Sequence, residues 1–69
     1  MIPNHRWQTR ANQRGESPRI DAFLREVEEV SKRHGLSISH EDTGGSFIVR
    51  EHNTTDAVWL FAATDDTKE

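Results

Sequence analysis

The chain has 69 residues, 32% of them hydrophobic and 30% charged, with a net charge of −3 and no cysteine. One small domain is the ceiling, and disulfides and thiolate zinc sites are excluded. A core of this size is marginal by itself, so a histidine–carboxylate metal site or a partner chain is what remains to add stability.

The low apolar content implies that part of the chain packs poorly. No apolar run is long enough for a transmembrane segment, and the first fifteen residues lack the apolar stretch of a secretory signal, so neither is expected. The charge is uneven. Residues 1–17 carry Arg6, Arg10 and Arg14 against Glu16 alone, a balance of +2 that leaves −5 on the remainder.

Residues 1–16 read as a basic N-terminal arm, flexible or partly helical. Arg6, Arg10 and Arg14 recur every four residues, so a helix would align them in one stripe with Trp7 beside it. Arginine with an aromatic ring suits single-stranded nucleic acid or phosphate. The alternatives are a disordered, solubilising leader, or an arm that docks on its own acidic body or on that of a twin.

Ser17-Pro18 is a helix start, serine as the N-cap and proline at the first helical position. Ile20, Phe23, Leu24, Val27 and Val30 follow at helical spacing, with polar residues between them. Asp21–Arg25, Arg25–Glu29 and Glu28–Lys32 stand four apart, as surface ion pairs do. Lys32, Arg33 and His34 complement the negative end of the dipole, and Gly35 supplies a left-handed cap. The spacing predicts a helix over 18–34.

Leu36 to Glu41 alternates with period two, Ser46 to Glu51 is rich in β-branched and aromatic residues, and Asp42-Thr43-Gly44-Gly45 lies between them. This predicts a hairpin. A two- or a four-residue loop sets His40 opposite Phe47, Ile38 opposite Val49 and Leu36 opposite Glu51. Leu36, Ile38, Phe47 and Val49 then form the core face, closed by His40 beside the turn. Ser37, Ser39, Glu41, Ser46, Ile48 and Arg50 form the solvent face. The glycines serve the turn, since a phosphate loop needs a lysine and a longer glycine spacing.

Asn53 caps a short helix over about 54–64, with Asp56 three residues on as in a capping box. Either Trp59 or Phe61 faces the core, and the other turns outward. The fold class is α+β: a small α-β-β-α domain over 17–65, one main helix and a short helix packed with a two-stranded antiparallel hairpin. It is preceded by the flexible arm and followed by a frayed acidic tail, 66–69.

His34-Gly35-Leu36-Ser37-Ile38-Ser39-His40-Glu41-Asp42, then Gly45-Ser46-Phe47-Ile48-Val49, then Trp59-Leu60 and Ala63 form a specific string. Over Ser31 to Asp65, about half the chain, it resembles small proteins encoded by tailed phages and prophages. The resemblance implies a phage gene product in the host cytoplasm and carries no activity with it.

No serine has an evident base and no cleft is expected, so the chain is not read as an enzyme and no cofactor is implied. A metal held by His34, His40 and His52 is a third reading, weakened because His40 and Glu41 point to opposite faces of a strand. The expected function is protein–protein binding by a small phage accessory protein, as an inhibitor of a host enzyme or an anti-phage defence system. The candidate contacts are Trp59, Phe61 and Ile48 as leftover apolar groups. Glu28, Glu29, Glu41, Asp42 and Asp56 are candidates for an acidic surface that mimics nucleic acid. Open strand edges add the expectation of a homo-oligomer, a dimer in the first instance, joined through the hairpins. The alternative function is a nucleic-acid or nucleotide binder using Arg6, Trp7, Arg10 and Arg14.

Overall fold

The computed structural model describes residues 5–68. Residues 1–4 of the basic arm and Glu69 of the acidic tail lie outside the described residues. The order is β1 (Arg6–Gln8), β2 (Gln13–Gly15), α1 (Pro18–His34), β3 (Leu36–Glu41), β4 (Phe47–Glu51) and α2 (Thr54–Phe61). The strands form two separate antiparallel pairs, β1 with β2 and β3 with β4. The domain is α+β, with the main helix, hairpin and short helix in the expected order. No helix among the described residues is long and apolar enough to cross a membrane.

The stripe of arginines on a helix is corrected. Residues 6–15 form a hairpin in which Trp7 pairs with Arg14 and Gln8 with Gln13. Arg10 sits in the connecting turn, where Asn12 adopts a positive φ of 54°. Asparagine tolerates that conformation because its short polar side chain bonds locally. The polar tail is also held. The Asp65 amide donates to the Trp7 carbonyl at 2.8 Å, the Thr9 amide donates to the Asp65 carbonyl at 3.0 Å, and the Thr9 hydroxyl donates to the Asp66 carboxylate.

Helix α1 begins and ends where its signals place it. Gly35 takes a φ of 69°, and its N–H bonds to the Lys32 carbonyl at 3.1 Å. Ser17 differs from expectation. It makes no side-chain cap: its oxygen accepts from Gln8 Nε2 at 3.2 Å, and its hydroxyl donates to the Asp65 carboxylate at 2.7 Å. The ion pairs also differ, since Asp21 is taken by Arg6 and Glu28 by His52, whose Nε2 lies 2.6 Å from the carboxylate.

The hairpin turn is neither of the two lengths considered. The Asp42 amide donates to the Ser46 carbonyl at 2.7 Å, and the Gly45 amide to the Asp42 carbonyl at 3.1 Å, which leaves a three-residue loop. Gly45 takes the positive φ, 88°, that such a loop requires at its last position. An odd loop shifts the register by one and pairs Glu41 with Phe47. A β-bulge at His40 absorbs the extra residue. Ser39 then meets Ile48, Ile38 meets Val49 and Leu36 meets Glu51, the last two as expected.

The bulge also moves His40 off the place expected for it beside Phe47. Its ring meets Trp59 of α2 edge-on, with centroids 5.0 Å apart.

The assignment of faces is inverted. Ser37 and Ser39 are buried toward α2, whereas Leu36, Phe47 and Val49 are exposed. Helix α2 stops at Phe61 rather than near residue 64. The Ala62 and Ala63 amides bond three residues back, to Trp59 and Leu60, and tighten the last turn. Phe61 faces the core and Trp59 does not.

Among the described residues only Leu24 of α1 and Phe61 of α2 are buried large hydrophobic side chains, and the two helices pack on each other. Phe23 and Val30, expected in the core, are exposed. Leu24→Ala and Phe61→Ala are each expected to cost about 2–5 kcal/mol of unfolding free energy, a large share of what a domain this small has. Val58→Ala, at an exposed site of α2, should change stability by less than about 0.5 kcal/mol. Urea titration followed by circular dichroism checks all three.

Candidate functional site

The arm residues are placed first, because a nucleic-acid reading needs them free. Arg6 is 2% exposed. Its Nη1 donates to the Ala63 carbonyl at 2.8 Å, and its Nη2 donates to the Asp21 carboxylate. The first bond satisfies the carbonyl of Ala63 just beyond α2, and the second ties β1 to α1. Arg6 Nε is the one buried side-chain polar atom without a partner among the described residues. Arg6 is therefore an internal clamp, not a phosphate contact. Trp7, Arg10 and Arg14 remain exposed, but Arg10 Nε already points to the Asp66 carbonyl at 3.5 Å. The arm docks on its own body.

The acidic candidates divide in the same way. Asp56 is 1% exposed, at the third helical position of α2. Its carboxylate accepts Arg50 Nε at 2.8 Å and Arg50 Nη2 at 2.9 Å, Ser39 Oγ at 2.9 Å and Asn53 Nδ2 at 2.7 Å. Its amide donates to Asn53 Oδ1 at 2.9 Å, the expected cap, while the Asn53 amide goes to Ser37 Oγ at 3.0 Å. The hydrogen bonds from Arg50, joined by those from Asn53 and Ser39, hold the Asp56 carboxyl far below the usual range, although burial opposes them.

Glu28 is engaged by His52, whose Nε2 lies 2.6 Å from its carboxylate. The Asp42 carboxylate is spent on the turn, accepting the Gly44 amide at 2.8 Å and the Ser46 amide at 3.1 Å. Those two amides are thereby closed to an outside anion. Of the five acidic candidates, Asp56 is corrected to an internal role, Glu28 is largely covered, and Glu29, Glu41 and Asp42 are exposed.

What remains open is apolar, and it lies on both sides of the β3–β4 pair. On one side Phe23, Val27 and Val30 of α1 and Leu36, Ile38 and Val49 of the strands line a groove of about 410 Å³. Phe47, on the same face of β4, is 66% exposed, and Phe23 is 62% exposed. On the other side stand Trp59 with His40 against it, Val58, and Ile48, which shares the face of Ser39. Phe61, the third of the apolar candidates, is withdrawn by burial. Among the described residues no three His, Cys, Asp or Glu side chains gather as a metal set. His52 is engaged by Glu28, and His40 by Trp59.

The groove residues were assigned to the core by periodicity, which reports a shared face but not what covers it. A signal for the inversion was present. Ser37 and Ser39 stand opposite Arg50 and Ile48, and Asp56 follows six residues after Arg50, so a buried carboxylate could collect its donors on the serine side.

Comparison with known protein families, with curated proteins and with solved structures finds no match to the chain.

Asp21→Ala should cost about 3–5 kcal/mol, because it strands the buried Arg6 guanidinium. Arg6→Ala should cost less than that, since Asp21 is about one-fifth exposed and can be hydrated. Arg14→Ala should be neutral within about 0.5 kcal/mol. Chemical denaturation of the three variants tests the clamp.

A second expectation concerns acid. Bonds from the Thr67 hydroxyl, the Ser17 hydroxyl and the Thr67 amide hold Asp65 down to about 2. Its folded value lies below the unfolded value of about 4, so the unfolded chain binds the proton first. The stability Asp65 contributes is full above about pH 5 and is lost as pH falls from about 4 to 2, whereas that of Asp56, held lower still, persists to more acid pH. Melting temperature should drop over that window, and Asp65→Asn should make the drop shallower.

Proposed function

We propose that this chain works by binding another protein, as a small accessory factor that engages a host or defence protein through the Trp59 side of its hairpin. The observation that carries the reading is the imbalance of apolar groups. Nine large hydrophobic side chains are exposed among the described residues, whereas two are buried. Contiguous exposed apolar surface is what interfaces use, and tryptophan is among the residues that most often dominate their energetics.

Trp59 is 42% exposed and is held by the His40 ring, so little conformational freedom is lost when it enters a pocket. Glu41 and Asp42 follow His40 at the turn, so the complementary patch is apolar with a basic rim. The similarity of the HGLSISHED string to small phage proteins is the reason for naming a host or defence protein as the partner. Two features weigh against mimicry of nucleic acid: Asp56 is consumed inside the fold, and Glu28 is paired. The clamp on Arg6 weighs likewise against nucleic-acid binding by the arm.

The test is a matched set of baits: the unaltered chain, Trp59→Ala and Trp7→Ala, both tryptophans being exposed. Trp59→Ala should leave stability within about 0.5 kcal/mol while lowering the affinity of a co-purifying host protein by tenfold or more, about 1.4 kcal/mol. Trp7→Ala should retain it. Equal capture by the two variants would overturn the assignment.

A further inference from the structure

On the other side of the hairpin, we infer that the groove between α1 and the β3–β4 pair is the seat of a second copy of this chain, with the two α1 helices antiparallel about a twofold axis. This stands apart from the Trp59 reading: of the exposed apolar groups it uses those that line or border the groove, not Trp59, Val58 or Ile48.

The first observation is the shape of the open seam. Phe23, Val27, Val30 and His34 stand at spacings of four, three and four along α1, the narrow seam by which helices pair, and all four line the groove. The Leu24 side of the helix is already buried, and α1 packs on α2 and β3. A helix with a second apolar stripe has a second neighbour to meet.

The second observation is size. Phe23, Val30, Leu36, Phe47 and Val49 together expose an area on the order of 500 Å², at the upper end of the largest patches on monomers. With the polar groups at its rim, the face approaches the roughly 800 Å² per partner of a stable interface. The molecule is also flat. It measures 34 × 27 × 19 Å with a radius of gyration of 12.7 Å, against about 11 Å for a compact chain of this length. A layer of packing is missing on one side of the hairpin, and a second α1 supplies it.

The third observation selects the occupant and its direction. An isologous interface must complement itself. Antiparallel pairing centred between Val27 and Val30 sets each of these against the other in the twin and places Phe23 against His34. It also brings Glu26, which lines the groove, toward the Ser31–His34 turn of the twin, where Lys32, Arg33 and His34 are basic. The helix dipoles then oppose each other. Parallel pairing would instead set Glu26 against Glu26 and one basic last turn against the other. Glu26 lines the groove and the basic last turn borders it at Ser31 and His34, so both halves of the charge match stand on one helix, as contact with a second copy requires.

Sedimentation of the full chain at about 50 µM, a range that reports micromolar affinity, should give twice the 7.9 kDa chain mass. Val30→Glu and Phe47→Glu replace side chains already exposed in the single chain, so each variant should keep its circular dichroism spectrum while dimer affinity falls at least tenfold. Glu26→Lys alone should weaken the dimer, and Glu26→Lys with Lys32→Glu should restore it. Trp59→Ala should leave the mass unchanged.

A single-chain mass for the unaltered protein would overturn the proposal. So would a dimer indifferent to both Val30→Glu and Phe47→Glu, which would place the contact on the hairpin edge, and a dimer lost in Trp59→Ala, which would place it on the other side. A dimer strengthened by Glu26→Lys would overturn the antiparallel arrangement.

Discussion

The Asp56 carboxylate binds β3, β4 and α2 into one body, and the rest of the structure follows from satisfying it. A buried carboxylate is tolerated only when its lone pairs are filled, ideally by a charged donor with others beside it. Arg50 of β4 provides two bonds, Ser39 of β3 one and the Asn53 cap another. For those donors to reach Asp56, the serine-bearing face of the hairpin must lie against α2. A strand shows alternate residues to opposite faces, so the apolar residues of β3 and β4 are obliged to point away. The exposed groove is therefore a consequence of the buried polar cluster.

A second polar anchor closes the opposite end of the domain. Arg6 reaches across from β1 to Asp21 on α1 and to the Ala63 carbonyl just beyond α2, while Asp65 gathers Ser17 and Thr67 and pairs its backbone with β1. Both clusters depend on geometry more than on apolar area. That suits a chain with so little to bury, and it explains how six polar or charged residues come to be buried beside two hydrophobic ones. Polar clusters of this kind fix which groups meet, but the removal of apolar surface from water supplies most of the net stabilisation. The domain is thus specified internally and incompletely covered.

Local signals were legible wherever the physics was local. Pro18, the basic last turn and Gly35 bound α1, and Asn53 with Asp56 starts α2, because caps and dipoles act within a turn of the residue concerned. The hairpin and the pairing of Ile38 with Val49 were legible for the same reason. The loop of three residues was not, since Asp42 can close a turn at more than one length, and the bulge at His40 follows only from that choice. The inverted faces, the role of Arg6 and the burial of Phe61 over Trp59 depend on partners as many as 57 positions apart in the chain. A stripe of three arginines at helical spacing also reads identically whether or not a helix forms; here Arg6 is paired across a sheet with Gly15, and its charge is spent indoors. Candidate contact residues fared accordingly. Trp59 and Ile48 remain at the surface, whereas Phe61, Asp56 and Arg6 were absorbed by the fold.

The two apolar faces have different chemical characters, and the β3–β4 pair separates them. The groove is largely aliphatic and phenyl, with an acid at the middle of α1 and a basic turn at its end, a composition suited to permanent burial against an identical surface. The other side presents one braced tryptophan, a histidine and two acids at a turn, a composition suited to recognition. A dimer seated in the groove would leave both copies of Trp59 facing outward. Two weak sites held at fixed separation act on a multivalent or dimeric partner with an effective concentration in the millimolar range, which raises avidity by about 10²–10⁴ without a new contact. Self-association through the groove would thus complete a core that one chain leaves half built, and would also double the Trp59 surface proposed to grip a partner.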